Sequence, residues 1–350
     1  MPLLPTVGPR RKSPLPKVLF LAGAVGLTAG GGYLWRKHSL EREEVARVEA
    51  ERAAVAEAER ARLEAERNRP PTPQEAMQQS GLKHMSAQVD GPLERAIVGA
   101  AGPAVGPALT QVVTRSLVWW MDVPGDLRRG DKLDVLYEER AGQEPLVHAV
   151  RFESAKAGRT FQAYLFKSPS EKYARFYEPT GEELEQRLKD SPIDDYEQIT
   201  SLLRDGRRHK GVDFKAPDGT PVLAPFDGVI VRRNWNFRVN GNALELRDAN
   251  GRRSAIFLHL AELPRDIQVN TRVKKGQEIA KSGNSGRSFA PHLHYQLMAG
   301  ETKVLDPFSE HETYRRSLPA ADRAAFDGEV RRLQTLMSGA VAAGGTAAGG

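Results

Sequence analysis

Cysteine is absent from the 350-residue chain. Its absence excludes disulfides, thiolate metal ligands and cysteine nucleophiles together, so any metal site must be built from His, Asp or Glu. Aromatic residues make up only 7% of the chain, and they are not interleaved with the basic residues as in many nucleic-acid-binding surfaces. We therefore expect no nucleic-acid partner, although the net charge is +6.

Long apolar runs are also scarce, and one uncharged run stands near the N-terminus. Residues 18–35, VLFLAGAVGLTAGGGYLW, follow a basic tail at residues 1–17. This length is at the lower limit for crossing a bilayer, and the basic tail favours a cytoplasmic N-terminus. We expect a single-pass anchor in a bacterial inner membrane, with the rest of the chain in the periplasm. A cleaved secretory signal is the alternative.

Composition divides the following residues into three segments. Residues 38–69 are almost entirely Ala, Glu and Arg, which favour a solvated spacer helix, with a dimeric coiled coil as the alternative. A Pro-rich linker follows over 70–80. Residues 81–195 mix helical and strand-like patterns and predict a mixed α/β accessory domain, in which GEELEQRLKD at 181–190 predicts a helix. The sequence leaves the oligomeric state unknown.

Short strand-like runs separated by Gly- and Pro-rich turns fill residues 196–310. They predict a compact antiparallel β domain, and Asn250-Gly251 predicts a hairpin within it. A helical pattern at 311–337 and a low-complexity, disordered tail at 338–350 complete the chain. The predicted fold class is therefore α+β overall.

Two candidate metal-binding or catalytic residues lie close together in PHLHYQLM, residues 291–298. On a strand the apolar residues of this segment face a core, while His292 and His294 share the opposite face. The same region holds His259 and His209, and Asp213 follows four residues after His209. Imidazole and carboxylate groups suit zinc, and a catalytic zinc site takes three protein ligands.

The segments HKGVDFKAPDGTPV, FLHL and GNSGRSFAPHLHYQL, in this order, closely resemble the lysostaphin-type (LytM-like) zinc endopeptidases that cut peptidoglycan. This resemblance covers about residues 200–307. It implies a Zn²⁺ cofactor held by His209, Asp213 and His294. It further implies that His292 is the catalytic histidine and that His259 is the other histidine of the site that does not bind metal.

The preceding segment, LVWWMDVPGDLRRGDKLDVLYEE, resembles the domain before the peptidase in MepM- and ShyA-type murein DD-endopeptidases. That similarity implies cleavage of peptidoglycan crosslinks, with the D-Ala–diaminopimelate bond expected. It implies that residues 81–195 either restrain the active site or serve as a substrate-binding or structural partner. Peptidoglycan, the inner membrane and divisome or wall-hydrolase proteins are the implied partners.

Two features depart from the family pattern. Phe257 stands where the family often has Tyr, and the segment before His209 lacks the usual Phe-Gly. Two other classes of function compete with an enzyme: a non-enzymatic LytM-like regulator that binds and activates wall amidases, and a peptidoglycan-binding scaffold. Both classes imply lost metal ligands, so the complete set His209, Asp213 and His294 favours the enzyme.

Overall fold

The computed structural model of the chain describes residues 19–203 and 209–345, with side chains at 32–203 and 209–340. Two compact units divide between Pro70 and Pro71. The predicted basic tail at 1–17 lies outside the described residues. None of the described helices is both long and apolar enough to cross a bilayer, so the anchor predicted at 18–35 is not supported.

The first unit contains one helix, α1, at Leu19–Asn68. It covers most of the predicted spacer and begins 19 residues before it, because nothing in the sequence between the apolar run and the Ala/Glu/Arg segment breaks a helix. Arg47 pairs with Glu44 at 2.7 Å on its surface, the i,i+3 spacing that stabilises solvated helices. The coiled-coil alternative stays a prediction.

The Pro-rich linker predicted at 70–80 is wrong over most of its length, because a helix, α2, occupies Pro73–Ser80. Thr72 and Glu75 form a reciprocal capping box, and Pro73 takes the first helical position, where its missing N–H is not needed. Gly81, at φ +70°, ends the helix in the left-handed conformation. Proline here starts a helix.

The second unit contains the remaining elements. Its longer helices are α3 Leu93–Ala101, α4 Gly106–Leu117 and α7 Arg323–Gly345, and the short ones are α5 Phe237–Asn240 and α6 Pro307–Glu310. The strands are β1 Lys83–Val89, β2 Asp131–Glu138, β3 Leu146–Ser154, β4 Arg159–Phe166, β5 Arg175–Tyr177, β6 Arg187–Leu188, β7 Gln198–Ser201, β8 Val212–Lys215, β9 Pro221–Leu223, β10 Gly228–Arg233, β11 Asn242–Asp248, β12 Arg253–Leu260, β13 Arg272–Val273, β14 Glu278–Lys281, β15 His292–Ala299, β16 Lys303–Leu305 and β17 Thr313–Tyr314.

An antiparallel five-stranded sheet in the order β1-β2-β3-β4-β5 organises the first half of this unit. Adjacent residues of β2 point to opposite faces. Val135 belongs to the core that includes α3 and α4, whereas Leu136 belongs to the core that includes Phe326 and Leu333 of α7. The C-terminal helix therefore covers one face of this sheet, and α3 and α4 cover the other.

Two predicted helices differ from the structure. Residues 181–190 contain no helix and include β6, because this segment pairs with β17 and with Ser317. The C-terminal helix begins at Arg323 and not at 311, since Pro319 favours an extended residue before it. It continues to Gly345, so the tail predicted to be disordered from 338 is helical over its first eight residues, and residues 346–350 lie outside the described ones.

A second, antiparallel sheet follows the order β13-β10-β11-β12-β15-β8-β7, with β16 also pairing with β15. The predicted hairpin joins β11 to β12, and Gly251 in its turn has φ +69°. The α+β class, the β-rich domain and the C-terminal helix are thus confirmed. One hydrophobic core extends from Met85 to Phe308, and the domain boundary at 195/196 stays a prediction.

Candidate metal centre

The two histidines of PHLHYQLM lie on one face of β15. His294 is in register with Asp213 of the neighbouring β8, and His292 is in register with Lys215. Leu293 and Tyr295, which alternate with the two histidines along the strand, are fully buried on the opposite face. The alternation of the sequence therefore places both imidazoles on the same side of the sheet, as the spacing predicts.

His209 reaches the same face from the segment just before β8. The Oγ atom of Ser201, on β7, lies 2.8 Å from Nδ1 of His209 and orients its ring. Gly211 allows the close approach of β15, since a Cβ there would stand 2.5 Å from the Tyr295 carbonyl oxygen and 2.8 Å from Nε2 of His294. Glycine in HKGVD is therefore a packing requirement of the site.

Three side-chain atoms converge on one point. Nδ1 of His294 is 2.9 Å from Oδ1 of Asp213, and Nε2 of His209 is 3.0 Å from Nδ1 of His294 and 3.2 Å from Oδ1 of Asp213. Above a triangle of this size there is a point about 2 Å from all three atoms, the bond length of zinc to nitrogen and oxygen. The donor set and its spacing fit zinc.

The electrostatics of the cluster favour a charged carboxylate. Burial by itself would raise the pKa of Asp213, but hydrogen bonds from His209 and His294 outweigh it and hold that pKa well below its usual range. The lowered pKa favours the anionic form of Asp213 at neutral pH, and an anionic oxygen beside two imidazole nitrogens is a strong ligand set for a divalent cation.

His292 and His259 complete the site without joining the triangle. Nδ1 of His292 donates to the carbonyl oxygen of Ala290 at 2.8 Å, and Nδ1 of His259 donates to that of Ser285 at 2.9 Å. A carbonyl only accepts hydrogen bonds, so in the neutral form of each ring Nδ1 carries the proton and Nε2 keeps a lone pair. The two ring centroids are 4.8 Å apart.

His259 reaches this position through its backbone. Strict alternation along β12 would place it with Phe257, which is fully buried in the core. Instead, His259 has φ +60°, a conformation uncommon for residues other than glycine, and it lies beside an irregularity in the pairing of β11 and β12. Burial lowers the pKa of His259, which favours its neutral form.

Sequence reasoning missed the groups that hold these histidines, namely Ser201, Ser285 and the Ala290 carbonyl. Two are backbone carbonyls, which leave no signal in residue type. Phe257 lies in the core, 5.6 Å between ring centroids from Tyr295, and not at the site. The unusual segment before His209 lies partly outside the described residues.

A His–Asp–His cluster with two further histidines beside it fits a catalytic zinc site with three protein ligands. Residues 207–307 match Peptidase family M23. The chain therefore carries an M23 peptidase domain. Zinc is the cofactor of this family, and the cluster of His209, Asp213 and His294 fits that ion.

Relatives of this domain include named peptidoglycan enzymes. Peptidoglycan DD-endopeptidase ShyC of Vibrio cholerae is 29% identical over 212 residues, or 57% of this chain and 47% of its own. Peptidoglycan DD-endopeptidase ShyA of the same organism is 28% identical over 226 residues, or 61% and 50%. An uncharacterized metalloprotease of Haemophilus influenzae is 35% identical over 173 residues, or 47% and 36%. The chain thus spans about half the length of the curated relatives ShyC and ShyA.

Proposed function

We propose that this protein is a zinc-dependent endopeptidase that hydrolyses peptide crosslinks of peptidoglycan. The main support is that ligand atoms of His209, Asp213 and His294 lie close enough together to bind one metal ion. Beside them are two histidines whose Nδ1 atoms bond to backbone carbonyls, which leaves their Nε2 atoms for the substrate or water. The similarity to DD-endopeptidases supports the D-Ala–diaminopimelate bond as the one cut. Remodelling of the cell wall during growth or division is the corresponding process.

Peptide hydrolysis needs a water nucleophile, an acceptor for its proton and a proton donor for the leaving amine. His292 is fixed with its proton on Nδ1, so its Nε2 accepts the proton from water and returns it to the leaving nitrogen. Nε2 of His259 accepts a hydrogen bond and orients the water. Zinc held by His209, Asp213 and His294 would supply Lewis-acid polarisation of the carbonyl and a lower pKa for water.

Digestion of defined crosslinked muropeptides by the full chain tests this function. We expect the zinc-loaded protein to convert dimers into monomers, identified by mass, and a chelator to stop the reaction. A protein that binds zinc yet leaves every dimer intact would contradict the proposal. If that protein then stimulated a purified wall amidase, the regulator class would replace the enzyme.

We further propose that the peptidase domain acts in the periplasm, where crosslinked peptidoglycan is found. The basic tail and uncharged run at residues 1–35 support export. A reporter that is active only in the periplasm, fused after Gly350, should be active, and an inactive fusion would contradict this location. The inner membrane and divisome or wall-hydrolase proteins stay predicted partners.

A further inference from the structure

Two rows of side chains cross the functional face of the sheet. Ser201, Asp213 and His294 form the first row, in register across β7, β8 and β15. Gln198, Lys215 and His292 form the second row across the same strands. Side chains directly opposite each other on antiparallel strands have Cβ atoms about 5 Å apart. Lys215 is thus a cation directly across from the catalytic histidine.

A cavity of about 530 Å³ begins at this second row. Its lining includes Lys215, Gln198 and Ala290, and Ala290 provides the carbonyl oxygen that orients His292. The size lies in the range of small-ligand sites. The cavity therefore adjoins the reaction centre and is large enough for one substrate side chain.

The cavity is also lined by three buried charged side chains, Arg175, Glu183 and Glu185, each of which is at most 7% exposed. Arg175 donates to two backbone carbonyls, and both oxygens of Glu183 accept from Arg187. These two charges are compensated within the protein.

Glu185 has weaker hydrogen bonds than these two side chains. Its carboxylate accepts hydrogen bonds from the Ile199 N–H at 3.3 and 3.4 Å, which are long. Burial raises the pKa of Glu185 to about 7, so a large part of the carboxyl population is anionic at neutral pH. A buried carboxylate with such weak bonds has capacity to accept from a ligand ammonium group.

Lys215 supplies the opposite charge in the cavity lining. Its Nζ donates to Oε1 of Glu197 at 2.8 Å, and its side chain is 39% exposed. An ammonium has three donors, so one such bond leaves two for a ligand carboxylate. The cavity lining thus offers both an ammonium donor, Lys215, and a buried carboxylate acceptor, Glu185.

We propose that this cavity is a subsite for a substrate side chain that ends in an ammonium and a carboxylate on the same carbon. Lys215 binds the carboxylate, and Glu185 binds the ammonium. Diaminopimelate in the stem that donates the scissile carbonyl has this chemistry, whereas lysine has the ammonium alone. A zwitterion pairs both charges, while a side chain lacking either group leaves a polar group of the cavity unpaired. The inference rests on the proposed function.

Two crosslinked dimers test the subsite. They share the scissile D-Ala–diaminopimelate bond and differ in the donor stem, which carries either diaminopimelate or lysine. The full chain should cleave the diaminopimelate dimer with a kcat/KM about tenfold higher, the worth of one hydrogen bond to a charged group. Lys215→Gln should remove this preference, mainly through KM, while zinc content is unchanged, and Lys215→Arg should restore part of it.

Two further variants make the test specific. Lys274→Gln alters an exposed lysine that pairs with Asp227 elsewhere in the domain, and we expect it to retain the preference. Glu185→Gln should lower kcat/KM about tenfold for both dimers, because both carry the ammonium, and N-acetylation of that ammonium should abolish the difference from wild type.

The outcomes separate the two proposals. If the wild type cleaves both dimers equally, or if Lys215→Gln keeps the preference while remaining folded and zinc-loaded, the subsite assignment is wrong and the proposed function stands. If the zinc-loaded wild type cleaves neither dimer, the proposed function fails and the subsite fails with it.

Discussion

His294 and Asp213 face each other across β15 and β8, with Nδ1 of the histidine 2.9 Å from Oδ1 of the aspartate. His292 lies on the same face of β15, but its Nε2 is 3.9 Å from that oxygen and its Nδ1 is committed to a backbone carbonyl. One strand face therefore carries two histidines with different chemical environments, and substitutions should separate their roles.

His294→Ala should lose zinc and activity together, because it removes one corner of the ligand triangle. His292→Ala should retain zinc but lower kcat by about 10²–10⁴-fold, the usual contribution of general acid–base catalysis. Zinc per chain by elemental mass spectrometry and turnover of a crosslinked dimer measure the two effects. Equal zinc loss in both variants would show that the pair is assigned incorrectly.

Gly211→Ala should weaken zinc binding by at least about tenfold. The added Cβ would meet the Tyr295 carbonyl oxygen and Nε2 of His294, so β15 or the His294 ring must move. Gly328→Ala is the matched control, since a Cβ there meets nothing within 4 Å in α7. This control should raise the free energy of unfolding by about 0.5–1 kcal/mol. Unchanged zinc affinity in Gly211→Ala would contradict the close packing.

Ser201→Ala should lower zinc affinity about 10–100-fold, because the ring of His209 loses the partner that orients it. Competition with a zinc chelator measures the affinity. Ser201→Thr keeps the hydroxyl and should retain most of the binding. The control Ser338→Ala, on α7, removes a hydroxyl that contacts only its own helix in the described structure and should have no effect.

The restraining role predicted for residues 81–195 can be tested at Trp119. Its ring meets Phe308 of α6 edge-to-face, with centroids 5.3 Å apart. We expect Trp119→Ala to loosen this packing and to raise kcat/KM by up to about tenfold, since such pairs contribute about 0.5–1.5 kcal/mol. Trp235→Ala, which removes a ring that stacks against Arg232, is the control. A decrease at equal zinc content would instead assign residues 81–195 a supporting role.

The sequence by itself determined the local geometry of the site. The alternation in PHLHYQLM places Leu293 and Tyr295 in the core and both histidines on the other face, because a period of two holds in any strand. The Asn250-Gly251 turn follows from the same local rules. The absence of cysteine restricts the metal ligands to His, Asp and Glu, because no thiolate is available anywhere in the chain.

Tertiary structure decided which distant residues meet. The register of β8 against β15 places Asp213 beside His294 and Lys215 beside His292, and that register depends on how both strands bury their apolar faces in one core. His259 enters the site only because its backbone adopts φ +60°, contrary to the alternation of its strand. Residues 181–190 have the composition of a helix, yet they contain strand β6 because this segment pairs with β17, more than 120 residues along the chain. Local propensity contributes little against such long-range packing and pairing.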